Sequence, residues 1–262
     1  MKLIVKLGGE IVGGAALDGI ARDLKALVSD GHRVIVSHGG GPQATALSSR
    51  LGIEPRIIGG RRATDAATLE IMKMTIAGQV NVDLCARLRA SGLKPVGVHD
   101  AVRAVRRPPR KISGAGDEPI DLGFVGDVTD FDLALLERLL DGGYLPVVAC
   151  LGHDEGGNIY NINADIVANQ LAIALSADAL LLVTSTPGVL ADVKDPQSRI
   201  AKLTRTEAHR AIADGTVSRG MIPKLEESFD TLTRGVGAVH ILSGDLARAI
   251  RDPGAVGTVL VR

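Results

Sequence analysis

The sequence predicts an α/β protein with a mainly parallel sheet held between layers of helix. Short apolar runs at 3–7, 34–37, 95–98, 145–150, 180–184 and 238–242 alternate with segments of helical periodicity at 17–30, 66–91, 133–141, 164–176 and 224–234. The strand-like runs are continuously apolar rather than alternating in polarity, as strands buried on both faces are. A strand followed by a helix, repeated along the chain, is the pattern of a parallel sheet covered on its faces.

Taken in order, the first run delivers Lys6 into the turn Gly8-Gly9, where backbone amides and one fixed positive charge can hold phosphate oxygens together. No Gly-Lys-Ser/Thr closes this turn, so it is not a Walker loop, and Gly8-Gly9 lacks the G-x-G-x-x-G spacing of a dinucleotide site. The second run, Val34-Ile35-Val36, opens directly into Ser37-His38-Gly39-Gly40-Gly41-Pro42. Two glycine-terminated strand ends are expected to meet over one anionic ligand. Neither glycine run decides this alone, since most such runs only mark turns.

At Arg61-Arg62 two arginines precede a helix whose cap is Thr64 or Asp65. One is expected to face solvent. The other, taken as Arg62, offers a carboxylate a planar bidentate fork that lysine cannot reproduce. From 101 to 128 the alternation breaks into prolines, glycines and the bases Arg103, Arg106, Arg107, Arg110 and Lys111, which reads as hairpins or a surface excursion. A chain with no Trp, three Phe and two Tyr has few rings on which to stack bases. A solvated basic loop is therefore expected, with no nucleic-acid partner.

Asn161, Asn163 and Asp165 surround the start of the next helix, where one cap is needed and two polar side chains are left over for a ligand. Asp165 is badly placed to touch a phosphate and well placed to orient lysines that do. In Gly220-Met221-Ile222-Pro223-Lys224, Pro223 suits a first helical turn and puts Lys224 at the positive end of the macrodipole, a mild cost that an anionic partner would offset. A smaller second lobe is expected to begin near Asn169. No tether marks the boundary, so lobes 1–168 and 169–262 should share one sheet.

Thirty basic and thirty acidic residues cancel, so any attraction for an anion must be local. Cys85 and Cys150 stand alone, without metal-ligand or redox spacing, and suit buried thiols in a reducing cytoplasm. Lys2 and Lys6 interrupt the first apolar stretch, and no later run nears the roughly 20 residues of a membrane span. A cytoplasmic protein with no membrane partner is expected.

Seven ordered segments together resemble the amino acid kinase family, and within it the branch that phosphorylates the side-chain carboxylate of N-acetylglutamate in arginine biosynthesis. They are Lys6-Leu7-Gly8-Gly9, His38-Gly39-Gly40-Gly41-Pro42, Arg62-Ala63-Thr64-Asp65, Leu122-Gly123-Phe124-Val125-Gly126, Asn161-Ile162-Asn163-Ala164-Asp165, Pro187-Gly188-Val189-Leu190 and Gly220-Met221-Ile222-Pro223-Lys224. The resemblance covers essentially the whole chain. It implies a three-layer αβα sandwich, an N-terminal lobe that binds the acyl amino acid and forms a homodimer, and a C-terminal lobe that binds ATP. Mg2+ would be held mainly through the nucleotide phosphates rather than by a protein metal site.

By the same resemblance Lys6, Lys224 and Asp165 are catalytic, and Gly40, Gly41, Arg62, Asn161 and Asn163 hold the substrate. ATP falls to Gly8, Gly9, Ser185, Pro187, Gly188, Leu190, Ser218 and Met221. Ser185 stands where the family commonly has an aspartate, and Glu10 where a smaller residue is common, which leaves the nucleotide contacts open. Two other readings stay open: a kinase for aminoadipate or glutamate carried on a small acidic protein, and a catalytically weak homologue that binds metabolites. The first strand begins almost at Met1, with no room for the N-terminal helix that joins arginine-inhibited members into hexamers. A dimer insensitive to arginine is the corresponding expectation.

Overall fold

The computed structural model describes residues 1–112, 116–217 and 221–262. In order, the first half contains β1 (Lys2–Leu7), α1 (Gly9–Val12), α2 (Leu17–Ser29), β2 (Arg33–His38), α3 (Gly41–Arg50), β3 (Ile57–Ile58) and β4 (Arg61–Arg62). Next come α4 (Ala66–Met72), a π-helical stretch (Lys73–Val80), α5 (Asn81–Ala90), β5 (Pro95–Val98), β6 (Val102–Arg106), β7 (Gly126–Phe131) and α6 (Leu133–Asp141). The centre of the chain adds β8 (Leu145–Ala149), β9 (Leu151–His153), β10 (Ile159–Asn161), α7 (Ala164–Ala174) and β11 (Ala179–Val183). The last part holds β12 (Lys202–Thr204), α8 (Arg205–Ala213), α9 (Ile222–Thr233), β13 (Ala238–Leu242), α10 (Leu246–Arg251) and β14 (Thr258–Val261). None of the described helices is long and apolar enough to cross a membrane.

Eight strands form one sheet in the order β12-β14-β13-β11-β1-β2-β8-β5, parallel throughout except where β14 runs against β13. β1 lies between the strands of the two halves, with β2 on one side and β11 on the other. Its carboxyl end is therefore the point where the strand order reverses, which in open α/β sheets is where ligands bind. The 168/169 division falls inside α7, which runs unbroken to Ala174 and packs on β1. The halves thus share a helix as well as a sheet.

Strand parity builds the three layers. Leu3, Val5 and Leu7 point into a core shared with Ile11, Leu17, Leu24, Leu88 and Leu246, from α1, α2, α5 and α10. Ile4 points the other way, into a core with Leu136, Val167, Leu171, Leu225 and Phe229, from α6, α7 and α9. Since side chains alternate along a strand, Lys6 lies on the face of Ile4, toward α7 and α9.

The irregular stretch after 101 contains the antiparallel pair β6 and β7, part of a second sheet ordered β10-β9-β6-β7. Its charges are largely answered locally. Arg106, Arg107 and Lys111 pair with Asp121, Asp127 and Asp117 at 2.8, 2.7 and 3.5 Å. The single helix expected over 66–91 is three consecutive segments, because eight residues, Lys73–Val80, take the i+5 spacing of a π-helix between two α-helical ones. Cys85 and Cys150 are both free thiols.

Gly188 joins the loop after β11 to the far edge of the sheet. Its φ is +151°, and a Cβ would lie 2.7 Å from Thr258 Oγ1, the oxygen that accepts from the amide of Val189. Gly188→Ala should cost about 1–3 kcal/mol of stability, read as a drop in chemical-denaturation midpoint with an unchanged m-value. A midpoint equal to that of the parent protein would remove this packing constraint.

Candidate active site

Three charged side chains from three elements converge beyond the end of β1. Asn163 caps α7, its Oδ1 accepting from the amides of Asp165 at 2.7 Å and Ile166 at 3.4 Å, and this fixes Asp165 in the first turn. Pro223 opens α9 and is followed by Lys224. Lys6 Nζ lies 2.8 Å from Asp165 Oδ1, and Lys224 Nζ lies 2.7 Å from Oδ2. One carboxylate thus holds two ammonium groups, and the trio keeps one net positive charge.

The environment fixes these charge states. Partial burial pushes the Asp165 carboxyl up, but the fields and hydrogen bonds of Lys6 and Lys224 outweigh it and hold the group at about 2. Burial lowers the Lys224 ammonium, and repulsion from Lys6 adds to this, against the opposing attraction of Asp165. An anion arriving between the lysines would find charge that is already desolvated and aimed.

Backbone amides frame the same point. The Gly8 amide donates to Val183 O at 3.1 Å and the Gly39 amide to Leu7 O at 3.0 Å, tying the ends of β11, β1 and β2 together. A Cβ on Gly9 would lie 2.6 Å from Pro42 Cδ and 3.1 Å from the Gly41 amide, so the two glycine turns touch directly. α3 starts at Gly41, after Gly40, with no side-chain cap on its first turn. Those amides remain available to an anion. Beneath the turn, His38 Nδ1 contacts Gly39 O at 2.9 Å, and its Nε2 lies 2.9 Å from Asn81 Nδ2, which also donates to Val147 O at 3.0 Å. Burial holds His38 below the usual imidazole range, so a neutral ring with its proton on Nδ1 completes the brace.

A cavity of about 280 Å3 opens here, lined by Lys6, Gly9, Gly40, Gly41, Arg62, Asn161 and Asp165 among others. Arg62 Nη2 donates to Thr45 Oγ1 at 2.7 Å and approaches Gly41 O at 3.3 Å, while its buried Nη1 has no partner among the described residues. Burial also lowers its pKa. Buried Asn161 donates to Thr64 Oγ1 at 3.1 Å. Asn163 lines the cavity too, but its oxygen is committed to the cap, which leaves its NH2 group for a ligand.

Two findings depart from the sequence reading. Arg61, the expected solvent-facing member of the pair, lines the cavity beside Arg62. Arg107, read as part of a solvated basic loop, is only 4% exposed and lines the cavity as well. Nothing in its run of arginines distinguished it, because its burial comes from the pairing of β6 with β7. Of the residues assigned to ATP, Gly9 lines this cavity and Gly8 adjoins Lys6 Nζ. Ser185, Pro187, Gly188 and Leu190 lie in the loop after β11, on the other side of β1, where Ser185 is exposed and Gly188 buried. Met221 is half-buried at the cap of α9, and Ser218 lies outside the described residues.

The shift of Asp165 has a measurable sign. A carboxyl held below its unfolded value contributes stability that is present above pH of about 4 and is lost as pH falls toward 2. The melting-temperature advantage of the native protein over Asp165→Asn should therefore be constant near neutrality and shrink from about pH 4 downward. A difference that does not vary with pH would mean that the carboxylate is not paired as described.

Residues 1–243 match the sequence profile of the Amino acid kinase family. The chain is 60% identical to an acetylglutamate kinase of Anaeromyxobacter dehalogenans (strain 2CP-C), over 98% of each chain. It is 58% identical to an acetylglutamate kinase of Sorangium cellulosum (strain So ce56), over 99% of this chain and 94% of that one. Among solved structures, smu.665 from Streptococcus mutans UA159 superposes with a TM-score of 0.81 at 26% identity, over 99% of this chain and 98% of that one. A Giardia carbamate kinase shares the fold at 16% identity, with a TM-score of 0.68 over 99% and 98% of the two chains. With its paired lysines, its touching glycine turns and a match running from Met1 to residue 243, the chain belongs to the amino acid kinase family.

Proposed function

We propose that this protein transfers the γ-phosphoryl group of ATP to the side-chain carboxylate of N-acetyl-L-glutamate, giving N-acetylglutamyl 5-phosphate for arginine biosynthesis. The observation that carries the reading is the convergence of Lys6 and Lys224 on Asp165 at the mouth of a cavity edged by Arg62 and the Gly40-Gly41 amides. Full-length likeness at 58–60% identity to proteins named acetylglutamate kinase supports the choice of acceptor.

The chain's own groups account for the chemistry without a protein base. A carboxylate is already ionised near neutral pH, so the substrate oxygen can attack the γ-phosphorus in line as the bond to the ADP oxygen breaks. Lys6 and Lys224 then sit where negative charge spreads over the transferring group, and Asp165 keeps both ammonium groups aimed. The Gly8 and Gly9 turn faces the phosphates, and the loop from Ser185 to Leu190 with Met221 serves the nucleotide. Mg2+, arriving on those phosphates, would neutralise charge between the β and γ positions. Asp165 has both oxygens engaged by lysine and is better suited to positioning than to a metal.

Residues 1–168 would bind the acyl amino acid and residues 169–262 the nucleotide. A homodimer is part of the same reading. The rival acceptor, a residue carried on an acidic protein, drew on the basic stretch after 101. Arg106 and Lys111 there are paired with neighbouring aspartates, which weakens that argument.

Lys6→Ala and Lys224→Ala should each lower kcat for ATP-dependent phosphorylation of N-acetylglutamate by about 10²-fold or more, a far larger effect than their disturbance of folding. A variant with the kcat of the parent protein would exclude that lysine from the mechanism. Arg62→Lys should chiefly raise the KM for N-acetylglutamate and leave that for ATP within about twofold. Collapse of ATP affinity instead would reverse the assignment of the lobes.

A further inference from the structure

The cavity contains a second buried guanidinium that the chemistry above does not use. Arg107 is held by Asp127, with Nε 2.8 Å and Nη2 2.7 Å from Oδ1, and Nη2 also donates to Gly126 O at 3.2 Å. Its backbone amide donates to Val125 O at 2.8 Å. Nη1 has no hydrogen-bond partner among the described residues. The side chain is 3% exposed, whereas its partner Asp127 is 39% exposed. The aspartate thus reaches solvent at the rim while the guanidinium is enclosed, and Nη1 is the part of it that no described residue engages. That N–H group is open to a ligand in the cavity, which Arg107 lines.

Arg62, in the same cavity, has a buried Nη1 without a partner among the described residues. N-acetylglutamate brings two carboxylates into that space. The reacting one must approach Lys6 and the glycine amides, where the phosphoryl group is transferred. The α-carboxylate needs its own compensation away from that end, and Arg62 and Arg107 each have an unused N–H group to give it.

We propose that Arg107 is a specificity-determining residue that, together with Arg62, binds the α-carboxylate of the acyl amino acid, and that Asp127 is the positioning residue that holds its guanidinium in place. This rests on the proposed function and narrows the acceptor to dianionic acyl amino acids. The planar fork matters more than the charge. Lysine at position 107 could still pair with Asp127, but a single ammonium cannot hold the aspartate, the Gly126 carbonyl and a substrate carboxylate in one plane.

The test compares two substrates, N-acetylglutamate and its α-carboxamide, with the native protein and with Arg107→Lys and Asp127→Asn. For N-acetylglutamate, Arg107→Lys should raise KM about tenfold, and Asp127→Asn about threefold, with kcat and the KM for ATP within about twofold. For the α-carboxamide, which the native protein should already use poorly, both penalties should shrink to less than about twofold. Equal penalties on the two substrates would overturn the proposal and leave Arg107 a structural residue. So would an unchanged KM in Arg107→Lys. Should Arg107→Lys fail to fold, Asp127→Asn decides alone by the same substrate comparison. A native protein without ATP-dependent turnover of N-acetylglutamate would instead defeat the proposed function, a result distinct from an active enzyme indifferent to position 107.

Discussion

The arrangement depends on one carboxylate shared between two ammonium groups. Lys6 comes from the central strand, Lys224 from a helix of the second half and Asp165 from the helix between them, so the trio joins the two halves of the chain beside the cavity. Two like charges brought close in a partly buried site would repel each other strongly. Asp165 changes that balance, and its low pKa measures how strongly both lysines favour its ionised form. Removing the central anion from such an arrangement would leave two partly desolvated cations facing each other. Asp165 is thereby the residue on which the placement of both lysine charges rests.

Around that trio the backbone comes unusually close to itself. Gly9 meets Pro42 and the Gly41 amide, and Gly40 sits against Ile76, where any side chain would collide. The contact with Ile76 brings in the π-helical stretch, whose i+5 spacing shifts the residues that follow it relative to an unbroken α-helix. Gly40, Ile76 and Met72 all line the cavity, so its shape is set jointly by a glycine turn and a helix irregularity. Neutral His38, bonded to Gly39 O and facing the Asn81 amide, holds the turn from below without adding charge to it.

Much of the frame was readable from periodicity because it follows from burial. The strands at 95–98 and 238–242 have the bounds expected from the sequence, and others differ by a residue or two. α3 escaped because its first turn is the glycine run itself, which signals a loop in any window of residues. β9, β10, β12 and β14 escaped because strands of three or four residues carry too little alternation. Within the site, Lys6, Asp165 and Lys224 stood out because a lysine at a strand end and charged groups at helix starts each need an explanation. Arg107 did not, since one arginine among several looks the same whether it is buried or solvated. The role of Asn163 shifted for a related reason: three polar residues precede the helix, and only coordinates show which of them accepts from the first amides.

The position of β1 also bears on how the chain is made. Its residues are synthesised well before those of one of its two neighbours, β11, so Leu3 waits for Ala179 to complete its pairing. Until β11 emerges, this largely buried strand has one open edge. An unpaired edge of that kind invites wrong partners, and pairing between distant segments is slow to form. Lys6 places a charge near the end of that strand from the start, so a group that later pairs with Asp165 also makes the nascent edge a poorer template for association.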